Sequence, residues 1–191
     1  MLKPVRSVAP TGSPITVAEA KTWLSVDHDD HDTLIQLLID GAVDHCDGYE
    51  GEFGQAIMAQ TWYQDFPCFL PEMRLPVRPV TAVTEIEYAN ADGLDVVIDN
   101  SNYYLFNDDF GPYVAPAPAY SWPSAYNRID AVRITWTAGA ANAAAVPARM
   151  KLALLYLVRH FYDHRDDEDG GKGTLPETFK ALEWPIRRMV V

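Results

Sequence analysis

Residues 146–165 read VPARMKLALLYLVRHFYDHR, and their apolar side chains recur at the spacing of one helix face. Pro147 suits the first position of a helix. A backbone N–H at that position has no hydrogen-bond partner within the helix, so its absence in proline costs nothing. The stretch carries, among its apolar residues, Leu154, Leu155, Val158, Phe161 and Tyr162. The pattern predicts a helix over 147–165 with one face buried in a core.

Two further helices are predicted before it. The sequence TVAE at 16–19 is a capping box, in which Thr16 and Glu19 bond each other's backbone amides, and it starts a helix over 17–25. Residues 30–50 repeat the helical period with a stripe of Leu34, Leu38, Ala42 and Cys46. A short helix followed by an apolar tail is expected after residue 174.

Between the helices, residues 60–139 are rich in Trp, Tyr, Val, Thr and Pro. Alternation around the turn NADG predicts a hairpin over 82–98, and NYYLF and DAVRITWT predict further strands. The prolines of PYVAPAPAYSWPSAYN, at 112–127, favour a long loop. We therefore predict an α+β fold, with a β-rich insertion in a small helical bundle.

A chain of 191 residues suits a single domain. We expect its helical core at 14–58 and 146–182, the insertion at 60–139, and flexible tails at 1–13 and 183–191. The formal net charge of -12 leaves no basic surface for gripping nucleic acid. No apolar run approaches the roughly 18 residues of a membrane span. Two cysteines make no disulfide framework, so a reducing compartment is expected.

The acidic stretch VDHDDHD at 26–32 contains potential metal ligands, but it also precedes a helix. We predict that Asp29 or Asp30 caps that helix and that Asp32 lies in its first turn, where carboxylates face the positive end of the helix dipole. The calcium-loop pattern is not met, because its central glycine and closing glutamate are absent.

His160 and His164 lie four residues apart, so a helix places both on one face. The zinc-protease pattern needs a glutamate directly after the first histidine, and Phe161 stands there instead. A metal-dependent enzyme using His160, His164 and acids such as Asp29 is the less favoured alternative. We predict a protein without catalytic residues, bound metal or cofactor.

The C-terminal segment combines basic and apolar residues in an otherwise acidic chain. Tryptophan and arginine are frequent interface anchors, so this segment is predicted to dock on a partner. Its candidate residues are Trp184, Ile186, Arg187, Arg188 and Met189. A chain cut after Gly173 should then still fold; the alternative is a tail packed on its own long helix.

The order of the segments resembles the head–tail connector (adaptor) family of tailed bacteriophages and gene transfer agents. The resemblance rests on residues 14–43, 59–66, 73–88, 130–139 and 146–165 taken together. It implies a structural protein of the virion, without catalytic residues, in one connector domain. Connectors of this family form a ring, usually dodecameric, beneath the portal protein.

The resemblance also implies the partners. They are the portal protein, a tail-side stopper or neck protein, and further copies of the chain, with no membrane involved. DNA passes through the ring without specific binding, which an acidic wall favours. A tail-completion or neck protein at another position in the stack is the alternative within the same class. The expected location is the head–tail junction of the virion, reached from the host cytoplasm during assembly.

Overall fold

The computed structural model of the protein describes residues 2–165 and 175–187. The chain divides into two compact units. A β unit comprises Met1–Thr11 and Ala59–Gly139, and a helical unit comprises Gly12–Met58 and Ala140–Val191. The mixed α+β class is confirmed. The predicted insertion at 60–139 falls within the β unit.

The described residues of the helical unit form four α-helices: α1 Val17–Leu24, α2 Asp32–Cys46, α3 Ala148–Asp163 and α4 Glu177–Glu183. The predicted capping box at the start of α1 is confirmed, with Thr16 Oγ1 accepting from Glu19 N at 3.2 Å. α2 ends at Cys46 rather than near residue 50. Gly48 follows with a φ of 86°, a conformation that glycine adopts without a steric cost.

All four helices contribute to one core. α3 buries Met150, Ala153, Leu154, Leu157 and Val158, and α2 buries Ile35, Ile39, Ala42 and Cys46. Of the predicted stripe, Ala42 and Cys46 are buried, whereas Leu34 and Leu38 are half-buried. The residues that follow these two leucines, Ile35 and Ile39, are buried instead. None of the helices in the described part of the chain is long and apolar enough to span a bilayer.

The β unit contains two antiparallel sheets. The five-stranded sheet has the order β1-β2-β8-β4-β5, and the three-stranded sheet has the order β3-β7-β6. The strands are β1 Val5–Val8, β2 Gln60–Phe66, β3 Met73–Arg74, β4 Val80–Ala89, β5 Asp95–Val97, β6 Tyr103–Asp108, β7 Gly111–Pro116 and β8 Val132–Ala138. Short 3₁₀ helices occupy Asn100–Asn102 and Ala143–Ala145.

β8 is the central strand of the larger sheet, and its predicted alternation is confirmed. Val132, Ile134 and Trp136 are all buried. Trp136 lies opposite Trp62 of β2, and its indole Nε1 donates to the carbonyl of Val77 at 3.1 Å. The predicted hairpin over 82–98 is formed by β4 and β5, whose turn contains Gly93 at a φ of 77°.

Two expectations for this unit are wrong. Residues 5–8 are not part of a flexible tail, because β1 pairs with β2 and Arg6 lies opposite Trp62. Residues 111–116 are not loop, because β7 pairs with both β3 and β6. Pro112 and Pro116 lie at the ends of β7, where a missing amide disturbs the ladder least.

Candidate functional site

The predicted docking segment begins at the end of α4, and the structure divides its residues between core and surface. Trp184 is 76% exposed, whereas Ile186 is buried in the helical core. The backbone carbonyl of Ile186 accepts a hydrogen bond from Gln55 Nε2. Arg188 and Met189 lie outside the described residues. Among the described residues of this segment, Trp184 is the large apolar residue whose side chain is exposed.

α4 is fixed to the helical unit by its inner face. Phe179 is fully buried, and its ring stacks on Phe53 with centroids 6.4 Å apart. Ile186 continues this apolar contact beyond the helix end. The expectation of a flexible tail from residue 183 is thus wrong for residues 183–187, because Glu183 and Ile186 are buried and Ile186 belongs to the helical core.

A pair of carboxyl groups lies beneath this segment. Burial raises the pKa of Glu183, and the neighbouring Glu52 raises it further by its charge and a hydrogen bond. Arg187 lowers it, with Nη1 at 3.4 Å from Glu183 Oε1 and 3.9 Å from Glu52 Oε2. Arg187 is therefore engaged within its own chain and balances part of this negative charge.

The acidic stretch at 26–32 forms an ion-pair cluster around Lys21. Lys21 Nζ lies 2.6 Å from Asp29 Oδ1 and 2.8 Å from Asp32 Oδ1. The hydrogen bond from Lys21 lowers the pKa of Asp29. Asp32 is in the first turn of α2, as predicted. The cap itself was predicted wrongly, because the N-cap is His31 rather than Asp29 or Asp30.

The residues of the alternative metal site have other partners. His31 Nδ1 lies 2.7 Å from the hydroxyl of Tyr162, and His164 Nδ1 lies 2.8 Å from the carbonyl of His160. The rings of His160 and His164 contact each other at 4.4 Å between centroids. Across residues 2–165 and 175–187, no group of three or more His, Cys, Asp or Glu is arranged to hold a metal ion.

The two thiols lie in different surroundings. Cys46 is buried, as predicted, and burial raises its pKa well above the usual range of a thiol. Such a group stays protonated and is a poor nucleophile. Cys68 is exposed. Cys46 therefore lacks the activated thiolate of a catalytic cysteine.

One surface of the β unit was not predicted from the sequence. Tyr104 and Phe106 of β6 and Phe110 of the following turn are exposed, and Tyr113 of β7 is half-buried. Arg74 lies over the rings of Phe110 and Tyr113. The run NYYLF predicts a strand, whereas the prolines of the stretch after it favour a loop. Pairing 103–108 with 111–116 across the turn DDFG would have indicated this surface.

Comparison with known proteins matches the first part of the chain to a family. The family of the phage gp6-like head-tail connector protein matches residues 14–93. Among curated proteins, none matches the chain. The predicted resemblance to head–tail connectors is thus confirmed.

Solved structures share the fold over the full chain. A chain in the virion of a native gene transfer agent particle has a TM-score of 0.77 at 22% identity, covering 100% of this chain and 97% of that one. A chain in the neck of an empty gene transfer agent particle, computed with C6 symmetry, has a TM-score of 0.74 at 22% identity and the same coverage. A chain in the neck of a native gene transfer agent particle, computed with C12 symmetry, has a TM-score of 0.71 at 21% identity. This match covers 100% of this chain and 97% of that one.

Proposed function

We propose that this chain is a head–tail connector, a structural protein of the particle neck that joins the head to the tail. The match of residues 14–93 to the connector family carries this conclusion. The fold shared with neck proteins over the full chain supports it. The protein acts at the head–tail junction of a phage or gene transfer agent particle.

In the particle the chain forms a ring through which DNA passes. A dodecamer agrees with the C12 symmetry of a neck that contains a chain of the same fold. The helices α1 to α4 form the small bundle that frames each subunit. A net charge of -12 per copy keeps DNA from adhering to the channel wall, so the DNA slides.

The ring lies between the portal protein on the head side and a stopper or neck protein on the tail side. Trp184 is the anchor toward the portal, because it is large, exposed and held at the end of a docked helix. A tryptophan that becomes buried when two proteins bind is a frequent hot spot of their interface. Arg188 and Met189 extend the predicted docking segment beyond the described residues.

The function is structural rather than catalytic. The ion pairs of Lys21 occupy the carboxylates that the metal hypothesis needs, and the thiol of Cys46 is held protonated. A connector that acts through contacts with its neighbours needs neither metal nor cofactor, and this is part of the proposal.

Deleting the gene and restoring it with variants tests this proposal. Without the chain, filled heads lacking tails should accumulate, and Trp184→Ala should reproduce that phenotype with a normally folded protein. Leu37→Ala is the matched control, because Leu37 is also a large exposed apolar residue, at 66% exposure. Normal tailed particles without the chain would refute the connector role. Tailed particles with Trp184→Ala would refute only the docking site, and a block at another neck layer would indicate a tail-completion protein.

The purified chain should be a monomer or a small oligomer, with the ring forming on the head. Like charge on every copy opposes self-association when no template compensates for it. Light scattering at micromolar concentration and ordinary salt measures this directly. A stable ring under those conditions contradicts the expectation.

A further inference from the structure

The three-stranded sheet of the β unit presents rings that its own fold does not cover. Phe110, in the turn between β6 and β7, is 73% exposed, and Tyr104 and Phe106 of β6 are also exposed. Large aromatic residues grouped on a surface mark interaction sites more often than scattered apolar ones do. We name the group Tyr104, Phe106, Phe110 and Tyr113, with Arg74, the aromatic surface.

The aromatic surface is ordered by contacts among its own members. Phe106 contacts Tyr104 at 6.2 Å and stacks on Tyr113 at 5.4 Å between ring centroids. The guanidinium of Arg74 lies 4.7 Å from the ring centre of Tyr113 and 5.7 Å from that of Phe110. Side chains that are already ordered lose less entropy on binding.

Arg74 is held in this position by two acids. It donates to both carboxylate oxygens of Asp108, at 2.6 and 2.8 Å, and to Glu72 at 2.6 Å. Asp108 Oδ1 also accepts from the backbone amides of Phe110 and Gly111, which forms the turn. The turn is thus made by Asp108 and Gly111, and the ring of Phe110 is not needed to form it. The aromatic surface is apolar. Around it, Glu72, Asp108 and Asp109 outnumber Arg74, so the net charge of this region is negative.

A complementary surface exists in the same β unit. Residues 2–8, here called the β1 segment, include the edge strand of the five-stranded sheet. Leu2, Val5 and Val8 are exposed apolar residues of this segment, and Lys3 and Arg6 are its basic residues. Arg6 donates to Gln60 Oε1 at 3.3 Å and lies 5.9 Å from the ring centre of Trp62. This is the combination of apolar and basic groups that the aromatic surface fits.

We propose that the aromatic surface of one copy binds the β1 segment of the next copy. This rests on the proposed ring and identifies one of its subunit contacts. Because the two surfaces differ, the contact is head-to-tail, which is the type of interface that closes a ring when repeated. The opposite charges also offset, at the contact itself, the repulsion between acidic copies.

The test adds the purified chain to portal-bearing heads from a strain without this protein and counts the copies of the chain bound per head. Phe110→Ser should reduce the association of copies about tenfold or more, since a desolvated aromatic anchor carries much of an interface's binding energy. Circular dichroism and melting temperature should match the wild type, because Phe110 is exposed. Leu37→Ser is the control and should bind as the wild type does.

Crosslinking identifies the occupant. In a Cys68→Ser background that keeps Phe110, Val8→Cys and Asp109→Cys in one chain, treated with a short bismaleimide on heads, should give a ladder of covalent oligomers up to the full ring, since both positions are exposed. Dimers alone, or no crosslink while the chain still joins heads, would overturn the proposed contact and leave the connector function standing. Phe110→Ser rings that bind normally but fail to recruit tails would assign the surface to the tail-side partner instead. A wild-type chain that never joins heads would refute the connector function itself.

Discussion

Phe179→Ala should destabilise the helical unit far more than the substitution of an exposed residue in or next to the same helix. Phe179 is fully buried against Phe53, and α4 has only seven residues. A helix that short is not stable by itself in water, so it depends on this packing. Truncating a buried phenylalanine costs about 3–5 kcal/mol. That is a large part of the roughly 5–15 kcal/mol by which a native domain is stable.

Trp184→Ala is the matched variant, five residues further along the chain and directly after α4. Its side chain is 76% exposed, so we expect the free energy of unfolding to change by less than about 0.5 kcal/mol. Urea unfolding followed by far-UV circular dichroism, which reports on the helices, measures both variants. Comparable m-values would establish that both start from the same folded state.

The reasoning is refuted if Phe179→Ala unfolds at the same urea concentration as the wild type. α4 would then contribute nothing to the core. The structure also changes what is expected of a chain cut after Gly173. That truncation removes Phe179 and Ile186 from the core, so it should lower stability rather than leave the fold intact.

Three further predictions concern the helical unit. Thr16→Ala removes the capping box of α1 and should lower the free energy of unfolding by about 0.5–2 kcal/mol in chemical denaturation; no change would mean that the cap is not formed. A chelator should leave the melting temperature unchanged, because Lys21 pairs with Asp29 and Asp32; a stoichiometric metal that survives dialysis would contradict this. Since the pKa of Glu183 is raised in the folded state, stability should fall as pH rises from below the ordinary glutamate pKa through the raised one, and Glu183→Gln should reduce that fall in urea titrations across pH. An unchanged pH dependence would mean that Glu183 is not the group responsible.

The helices could be predicted because their signals are local. A capping box, an apolar period and a proline at a helix start each act within a few residues, and α1, α2 and α3 appear where these signals place them. The alternation of β8 is equally local, since a central strand buries every second residue.

The errors concern features that depend on distant residues. β1 is a strand only because β2 lies beside it, more than fifty residues away in sequence. The cap of α2 depends on Lys21, which draws Asp29 and Asp32 into ion pairs, and on Tyr162, which bonds His31. Neither partner can be identified from residues 26–32 alone, because Lys21 lies on α1 and Tyr162 lies on α3. The aromatic surface was missed for the same reason, because its rings come together only when β6 pairs with β7.

Residues 177–187 contribute to the core, and in the proposed function they also dock on a partner, so the two roles are coupled. Phe179 and Ile186 hold α4 in place, and that placement fixes where Trp184 is presented. A pre-positioned anchor binds with less loss of entropy than one on a free tether. Phe179→Ala should therefore also weaken attachment to heads, although Phe179 itself is buried, and Phe179→Leu should restore much of both properties by refilling the core. If attachment is unchanged while the helical unit loses stability, Trp184 does not need α4 to present it.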